Sequence, residues 1–391
     1  MSILLLFAVI LLAGGARAGY CPSASSLYPC ICSEYSTGAY IWCDVSLLPG
    51  DGSQVFDIIA GIPRPTTIYE FRISYFGFEQ IPGRAFAGLT IKRVYLTYGE
   101  KLTTIHADAF AGIGGLRSLL LQDTALSAIP CRIFPTIPGL EYLEITYSSL
   151  ETLDDGCFMD ASNLAVLVLS HNAIVYISPQ ALRGLKKLKT LELSNNVIEH
   201  IVPGTFKDIK LTRLQLNNNH LYTVSAGTYA GLKRLVTIHL QNNRISSVAV
   251  GAFEGAAVAS TVDISYNNLV TIAAGTFRGL SRVRELFINF NEVSFIEPGA
   301  FYGLPRINYI GLWNNERLTS IDNDVFNVTE LISTDGVSVN LNGCKLDCQC
   351  DIDWLNEAPF TTWNAYCATP PELSTMALKS LKCVNGVMVP I

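Results

Sequence analysis

Charge is scarce in this chain. Only 15% of its 391 residues are Asp, Glu, Lys or Arg, and the balance is acidic, with a net charge of −6. An average globular protein carries roughly 25% charged residues. With no basic stripe evident from that balance, the composition argues against a phosphate backbone, and so against nucleic acid, as a partner. Long apolar runs are missing too. The longest, Ile3 to Ala13, falls short of the roughly 20 residues that span a bilayer. Motifs of catalysis are absent as well: there is no G-x-S-x-G elbow, H-E-x-x-H, G-x-G-x-x-G or phosphate loop.

What the chain has in abundance is a period. One copy reads Leu164, Leu167, Leu169, Asn172, Ile174, Ile177 and closes at Leu182. The next reads Leu188, Leu191, Leu193, Asn196, Ile198, Ile201 and Phe206. Further copies start at Leu211, Leu235, Ala259, Val283 and Ile307, and earlier ones at Leu140, Leu116, Ile91 and Ile68, in steps of 23 to 25 residues. Alternation within x-L-x-L-x sends the leucines inward and their neighbours outward, giving one short strand per coil in a parallel sheet. The chain then turns in at the Asn, whose amide can bond the backbone of its own and the neighbouring coil. Late in each coil a large residue recurs: Phe86, Phe110, Phe134, Phe158, Leu182, Phe206, Tyr229, Phe253, Phe277, Phe301 and Phe326. Segments such as Pro298–Phe301 read as loops or short helical turns.

The Asn site is filled by Asn172, Asn196, Asn219, Asn243, Asn267, Asn291 and Asn315, but the first four coils place Phe76, Gly99, Thr124 and Ser148 there. Thr and Ser replace the amide in part, Phe and Gly not at all. The N-terminal third is therefore expected to be less regular and to exchange its backbone amides faster. One extra residue follows the site in Gly99–Leu102 and in Asn315–Leu318, where small bulges are expected.

The pattern L-x-x-L-x-L-x-x-N-x-L is the leucine-rich-repeat signature, and the chain resembles the extracellular class of that family. The resemblance implies an α/β leucine-rich-repeat solenoid of eleven coils. Its parallel sheet would line the concave face, with loops and short helical turns on the convex face and a disulfide cap at each end. The expected division is a signal peptide at 1–18, an N-terminal cap at 19–67, repeats at 68–330 and a C-terminal cap at 331–391. The signal reading rests on the Ile3–Ala13 run followed by Ala16-Arg17-Ala18, a small-x-small cleavage site, although the segment before the run has no Lys or Arg. A secreted, extracellular product without membrane or lipid anchor follows as an expectation, and eleven cysteines suit an oxidising compartment.

The spacing Cys21-x8-Cys30-x-Cys32-x10-Cys43 resembles the N-terminal flanking cap, whose pairing implies Cys21–Cys32 and Cys30–Cys43. Cys348-x-Cys350, Trp354-Leu355, Trp363, Cys367 and Cys383 resemble the C-terminal cap, which implies Cys348–Cys367 and Cys350–Cys383. Cys131 and Cys157 hold nearly equivalent convex positions in adjacent coils; a disulfide is within reach there, but an offset of two residues leaves it open. Cys344 is left over, either as a thiol buried under the C-terminal cap or as a bridge to a disulfide-linked partner. Asn327-Val328-Thr329 is the one glycosylation sequon.

No chemistry converges. His171 and His239 fall three coils apart, about 14 Å at strand spacing, too far to share a metal whose ligands sit about 2 Å away. Neither a metal nor a cofactor is expected. Asp263 and Glu285 lie diagonally on adjacent strands, about 7–8 Å apart by sheet geometry, a separation at which a glycosidase pair works. Nothing else of such a site accompanies them, so no enzyme is expected. Fold alone does not supply function. The class resemblance implies binding of a protein or glycan partner on the concave face. The run Asp154–Phe158 and the two caps further resemble arthropod secreted repeat proteins, among them the non-catalytic subunit of oplophorus-type luciferase. That implies, as an alternative, a non-catalytic subunit of a secreted enzyme complex; innate-immune recognition is a third reading. Outward positions suggest where binding would occur. Tyr266, Phe287, Phe290, Tyr309 and Trp313 form a C-terminal aromatic group, and Tyr75, Tyr95, Tyr98, Tyr142 and Tyr147 an N-terminal one. Exposed aromatics of this kind mark interaction sites, unless the C-terminal cap or a loop folds over them.

Overall fold

The computed structural model describes residues 21–36, 38–64, 66–326, 336–358 and 360–391. The leader expected at 1–18 and Asn327 of the sequon lie outside these residues. One sheet of 15 strands runs the length of the molecule. It opens with an antiparallel hairpin, Cys30–Tyr35 on Gly38–Asp44, and is parallel from there on. Each of the eleven expected coils contributes a strand, from Thr67–Ser74 to Tyr309–Gly311. Val337–Asn340 extends the sheet by a twelfth turn, beyond the eleven counted in the sequence, and Phe360–Asn364 closes it. Inward strand residues such as Leu167, Leu191, Ile238 and Leu286 are wholly buried in one continuous core.

The Phe spine stacks on the far side of that core, neighbouring ring centroids lying 5.1–6.1 Å apart. Strands in a sheet are spaced at about 4.8 Å. The sheet side of each coil is thus the narrower one, and the stack curves with the sheet inside. The same spacing explains why α-helices are confined to the caps among the described residues (Ala24–Leu27, Val55–Gly61 and Trp354–Glu357). A helix is about 10 Å across, and coils this close leave room only for turns and 3-10 segments such as Cys131–Thr136. Gly184 and Gly231 show how tight the return path is. Both have positive φ, and a Cβ at either would lie 2.3 and 2.5 Å from a carbonyl oxygen of the preceding coil.

Seven asparagines, six of them buried and Asn172 half-buried, stitch the C-terminal coils together. Asn196 is typical: its amide nitrogen donates to Leu169 O of the preceding coil (2.9 Å) and Leu193 O of its own (3.1 Å), while Oδ1 accepts from Ile174 N (3.0 Å). The expected irregularity of the N-terminal third is not what the structure has. Its strands are the longest of the solenoid, Thr67–Ser74, Thr90–Gly99 and Ser118–Thr124, against three residues in most later coils. Extended backbone pairing there replaces the amide bonds. Hydroxyls fill part of the gap: Ser74 Oγ meets Thr97 Oγ1 at 2.8 Å, and Thr124 Oγ1 meets Ser148 Oγ at 2.7 Å. In the first coil the site is taken by the Phe76 ring, buried and stacked on Phe78 at 4.2 Å. Gly99 is its complement, since a Cβ there would come within 2.0 Å of that ring. The extra residues expected as bulges are absorbed in tight turns, Leu102 N donating to Gly99 O and Leu318 N to Asn315 O.

The four cap disulfides have the pairing that the family resemblance implied. Cys131 and Cys157 are bonded too, joining the third and fourth coils. At the C-terminal end Trp354 and Phe360 close the spine against Phe326.

Gly99→Ala is expected to destabilise the solenoid by about 1–3 kcal/mol through overpacking, and Phe76→Leu in the same chain should recover most of it. Equal melting temperatures for wild type and Gly99→Ala would show that the ring moves freely.

Candidate binding face

The chain must turn inward to bring each Asn into the core, and the residue just before it makes the turn. That residue is left-handed in coil after coil, with φ between 51° and 60° at Tyr75, Tyr98, Asp123, Tyr147, His171, Asn195, Asn218, Asn242, Tyr266, Phe290 and Asn314. Four of these are Asn, which tolerates the conformation through its short polar side chain. A Tyr or Phe there carries strain of order 1–2 kcal/mol. Five coils nonetheless place an aromatic ring at this position.

Those rings stack on one another outside the core. Tyr266 lies on Phe290 at 4.2 Å and 15°, and Phe290 meets Trp313 edge-on at 4.5 Å. Tyr266 is 49% exposed, while Phe290 and Trp313 are half-buried. The other two members of the expected C-terminal group, Phe287 and Tyr309, form a separate pair at 5.3 Å on neighbouring strands. Beneath them Ile264, Leu286, Ile288, Ile310 and Leu312 already fill the interior. The cap aromatics Trp354 and Phe360 pack on Phe326 instead. Near this surface Asn289 Oδ1 and Gln241 Oε1 are buried acceptors without a hydrogen-bond donor among the described residues.

The N-terminal tyrosines do not make one cluster. Tyr75 and Tyr98 stack at 4.7 Å, Tyr147 stacks on His171 at 4.3 Å, and Tyr95 takes the Arg72 guanidinium on its ring at 5.2 Å. Tyr142 donates its hydroxyl to Glu144, and burial together with that carboxylate pushes its pKa upward. Between the two aromatic ends the strand faces are polar. Arg213 pairs with Glu192 at 3.5 Å, and His239 stands beside Asp263. Burial lowers the His239 pKa, with Arg213 adding to the effect and Asp263 opposing it.

Asp263 and Glu285 are engaged separately. Asp263 accepts from Ser265 N and Oγ at 2.9 and 2.5 Å, and Glu285 accepts from Thr261 Oγ1 at 3.1 Å. No group of three or more metal-ligating side chains gathers among the described residues.

Of the two readings open for Cys344, the structure has the buried thiol: it is 5% exposed and donates to Leu312 O at 3.4 Å, which leaves it unavailable as a bridge to a partner. Leu312 O is where an asparagine of the next coil would bond, as Asn315 does to Ile288 O. Val339, Leu341, Cys344 and Leu346 repeat the motif with Cys at the Asn site, so Cys344 is the last rung of the ladder. The sequence signal was present, but this turn comes after a longer step than the others. Burial pushes the thiol up to about 12.

One flank of the sheet is basic despite the acidic net charge. Lys186, Lys187, Lys189, Lys210 and Arg234 gather around one cleft on the flank of the sheet. Lys186–Lys189, read as K-K-L-K, was the visible signal.

The profile of the leucine rich repeat family matches residues 138–198, 162–221, 209–258 and 259–316. This chain is a leucine-rich-repeat protein. The cysteine-rich caps bonded at both ends complete the family pattern. No curated protein matches the sequence. Among solved structures, the crystal structure of a TLR13–ssRNA13 complex is similar over 84% of this chain, with a TM-score of 0.58 and 16% identity. At that identity the likeness is one of fold, and this chain spans 62% of the length of that one. No helix among the described residues is long and apolar enough to cross a membrane.

Native protein at pH 8 should resist iodoacetamide at Cys344 and react there only after unfolding, while Cys344→Ala should cost about 0.5–1.5 kcal/mol. Rapid labelling of the native chain would remove the thiol from the ladder. For His239, a depressed folded pKa means the unfolded chain takes up the proton first. Its contribution to stability is therefore present above its ordinary value of 6.5 and is lost as pH falls below it. His239→Gln should flatten that part of the stability–pH curve.

Proposed function

We propose that this leucine-rich-repeat protein is a secreted, non-enzymatic binding protein whose concave face recognises an extracellular protein or glycan. The Tyr266–Phe290–Trp313 stack is the anchor, with Phe287 and Tyr309 extending it. The observation that carries this reading is that the core beneath is full, yet rings occupy a left-handed position that other coils give to Asn. Packing does not require them, and aromatic residues of this kind dominate interface energetics. Five disulfides agree with an oxidising compartment. The similar fold in the TLR13–ssRNA13 complex supports a recognition role in general.

The test uses the protein's own alternative at the same position. In Tyr266→Asn/Phe290→Asn the backbone strain is relieved and the rings are gone. Stability should hold or rise, while affinity for the partner captured from native secretion should fall at least about tenfold. A catalytic chain recovered in stoichiometric amount would make this the non-catalytic subunit of an enzyme complex. Unchanged affinity with intact folding would place binding elsewhere.

A further inference from the structure

The cations at the cleft follow from the repeat. Lys187, Lys210 and Arg234 each precede the first leucine of their coil (Leu188, Leu211 and Leu235), so they form one column along the flank of the solenoid. Lys186 and Lys189 widen it, and all five side chains are exposed. The floor is rigid, because Lys189 N donates to Ala165 O (2.9 Å), Thr212 N to Lys189 O (2.8 Å) and Val236 N to Thr212 O (3.2 Å). The backbone positions that carry successive cations are therefore set at the coil step, about 4.8 Å at the sheet. The cleft has a volume of about 310 Å³.

Its charge is unanswered. The one carboxylate lining it, Glu141, is paired with Arg117 at 3.0 Å. None of the five cations has a carboxylate within ion-pair distance among the described residues. Lys187 Nζ donates only to Asn163 Oδ1, at 2.8 Å. Five close cations on an acidic chain repel one another unless an anion is present.

We infer that this cleft binds a linear sulfated polysaccharide laid along the solenoid axis, at a site separate from the aromatic face. A column of point charges at a fixed step matches a polymer with anionic groups at regular intervals. Four of the five cations are lysines, which act as compact charges and do not need planar bidentate partners. No aromatic side chain lines the cleft, so it offers none of the stacking platform on which single-stranded nucleic acids rely. That decides for a sugar polymer over RNA.

The test is binding of the full secreted chain to an immobilised heparin oligosaccharide across a salt series. Wild type should bind at physiological ionic strength, and the desulfated oligosaccharide should not. Lys187→Glu/Lys210→Glu/Arg234→Glu should raise Kd at least about tenfold and flatten the dependence of log Kd on log salt. Lys187→Gln/Lys210→Gln/Arg234→Gln serves the same purpose should the reversed charges disturb folding. Arg282→Glu/Arg306→Glu changes the same coil position before Val283 and Ile307 and should leave Kd within about twofold. Tyr266→Asn/Phe290→Asn should not affect heparin binding, which separates this site from the proposed partner face. The inference is overturned by absent binding of wild type, by an equal loss in the Arg282/Arg306 control, or by tighter binding of a single-stranded RNA of matched charge.

Discussion

A buried side-chain amide that serves two coils at once is the interaction on which the rest of this molecule depends. Each coil is too short to bury its own polar backbone where it turns inward. The Asn closes that gap by donating to one carbonyl of its own coil and one of its neighbour, and accepting from the neighbour's next N–H. An unpaired buried group there would cost about 1–3 kcal/mol, repeated at every junction. The chain meets this demand with seven amides, a pair of hydroxyls and a thiol, while in the first two coils longer backbone pairing takes over and the Phe76 ring set against Gly99 only fills the space. Each device keeps the coils in register, so stability is shared between nearest neighbours along the stack.

The same turn creates the exposed face. To point the Asn inward, the preceding residue adopts a left-handed conformation and its side chain projects outward. That position is structurally demanding in backbone but free in side-chain chemistry. Where the chain places Asn, the surface is polar and unstrained. Where it places Tyr or Phe, rings one coil apart fall within stacking distance. Fold and candidate site are thus two sides of one geometric requirement.

Much of this was legible in the residues. The period, the strand per coil, the spine and the cap pairing are patterns of local spacing, and each survives translation into three dimensions because every coil repeats its neighbour's path. What was not legible depends on contacts between coils that break the repeat. Phe76 reads as a defect until Gly99 is seen beneath its ring. Cys344 reads as a spare thiol until the twelfth turn places it under Leu312 O. The ten aromatics named as two groups separate into smaller stacks, since position along the coil, and not nearness in sequence, decides which rings meet. Net charge hid the basic cleft because a sum carries no positions.

The disulfide between Cys131 and Cys157 has a mechanical meaning. A solenoid held by nearest-neighbour contacts yields to tension one coil at a time, from whichever junction is weakest. Across the third and fourth coils the load passes instead through a covalent bond that spans 26 residues of chain. Those residues, worth roughly 90 Å of extension when drawn out, cannot lengthen until the bond is reduced. The N-terminal cap and the first coils therefore stay tethered to the body of the molecule even if the hydrogen bonds of that junction part. Between the two caps, a pull on the described coils is resisted by hydrogen bonds and packing elsewhere and by sulfur here.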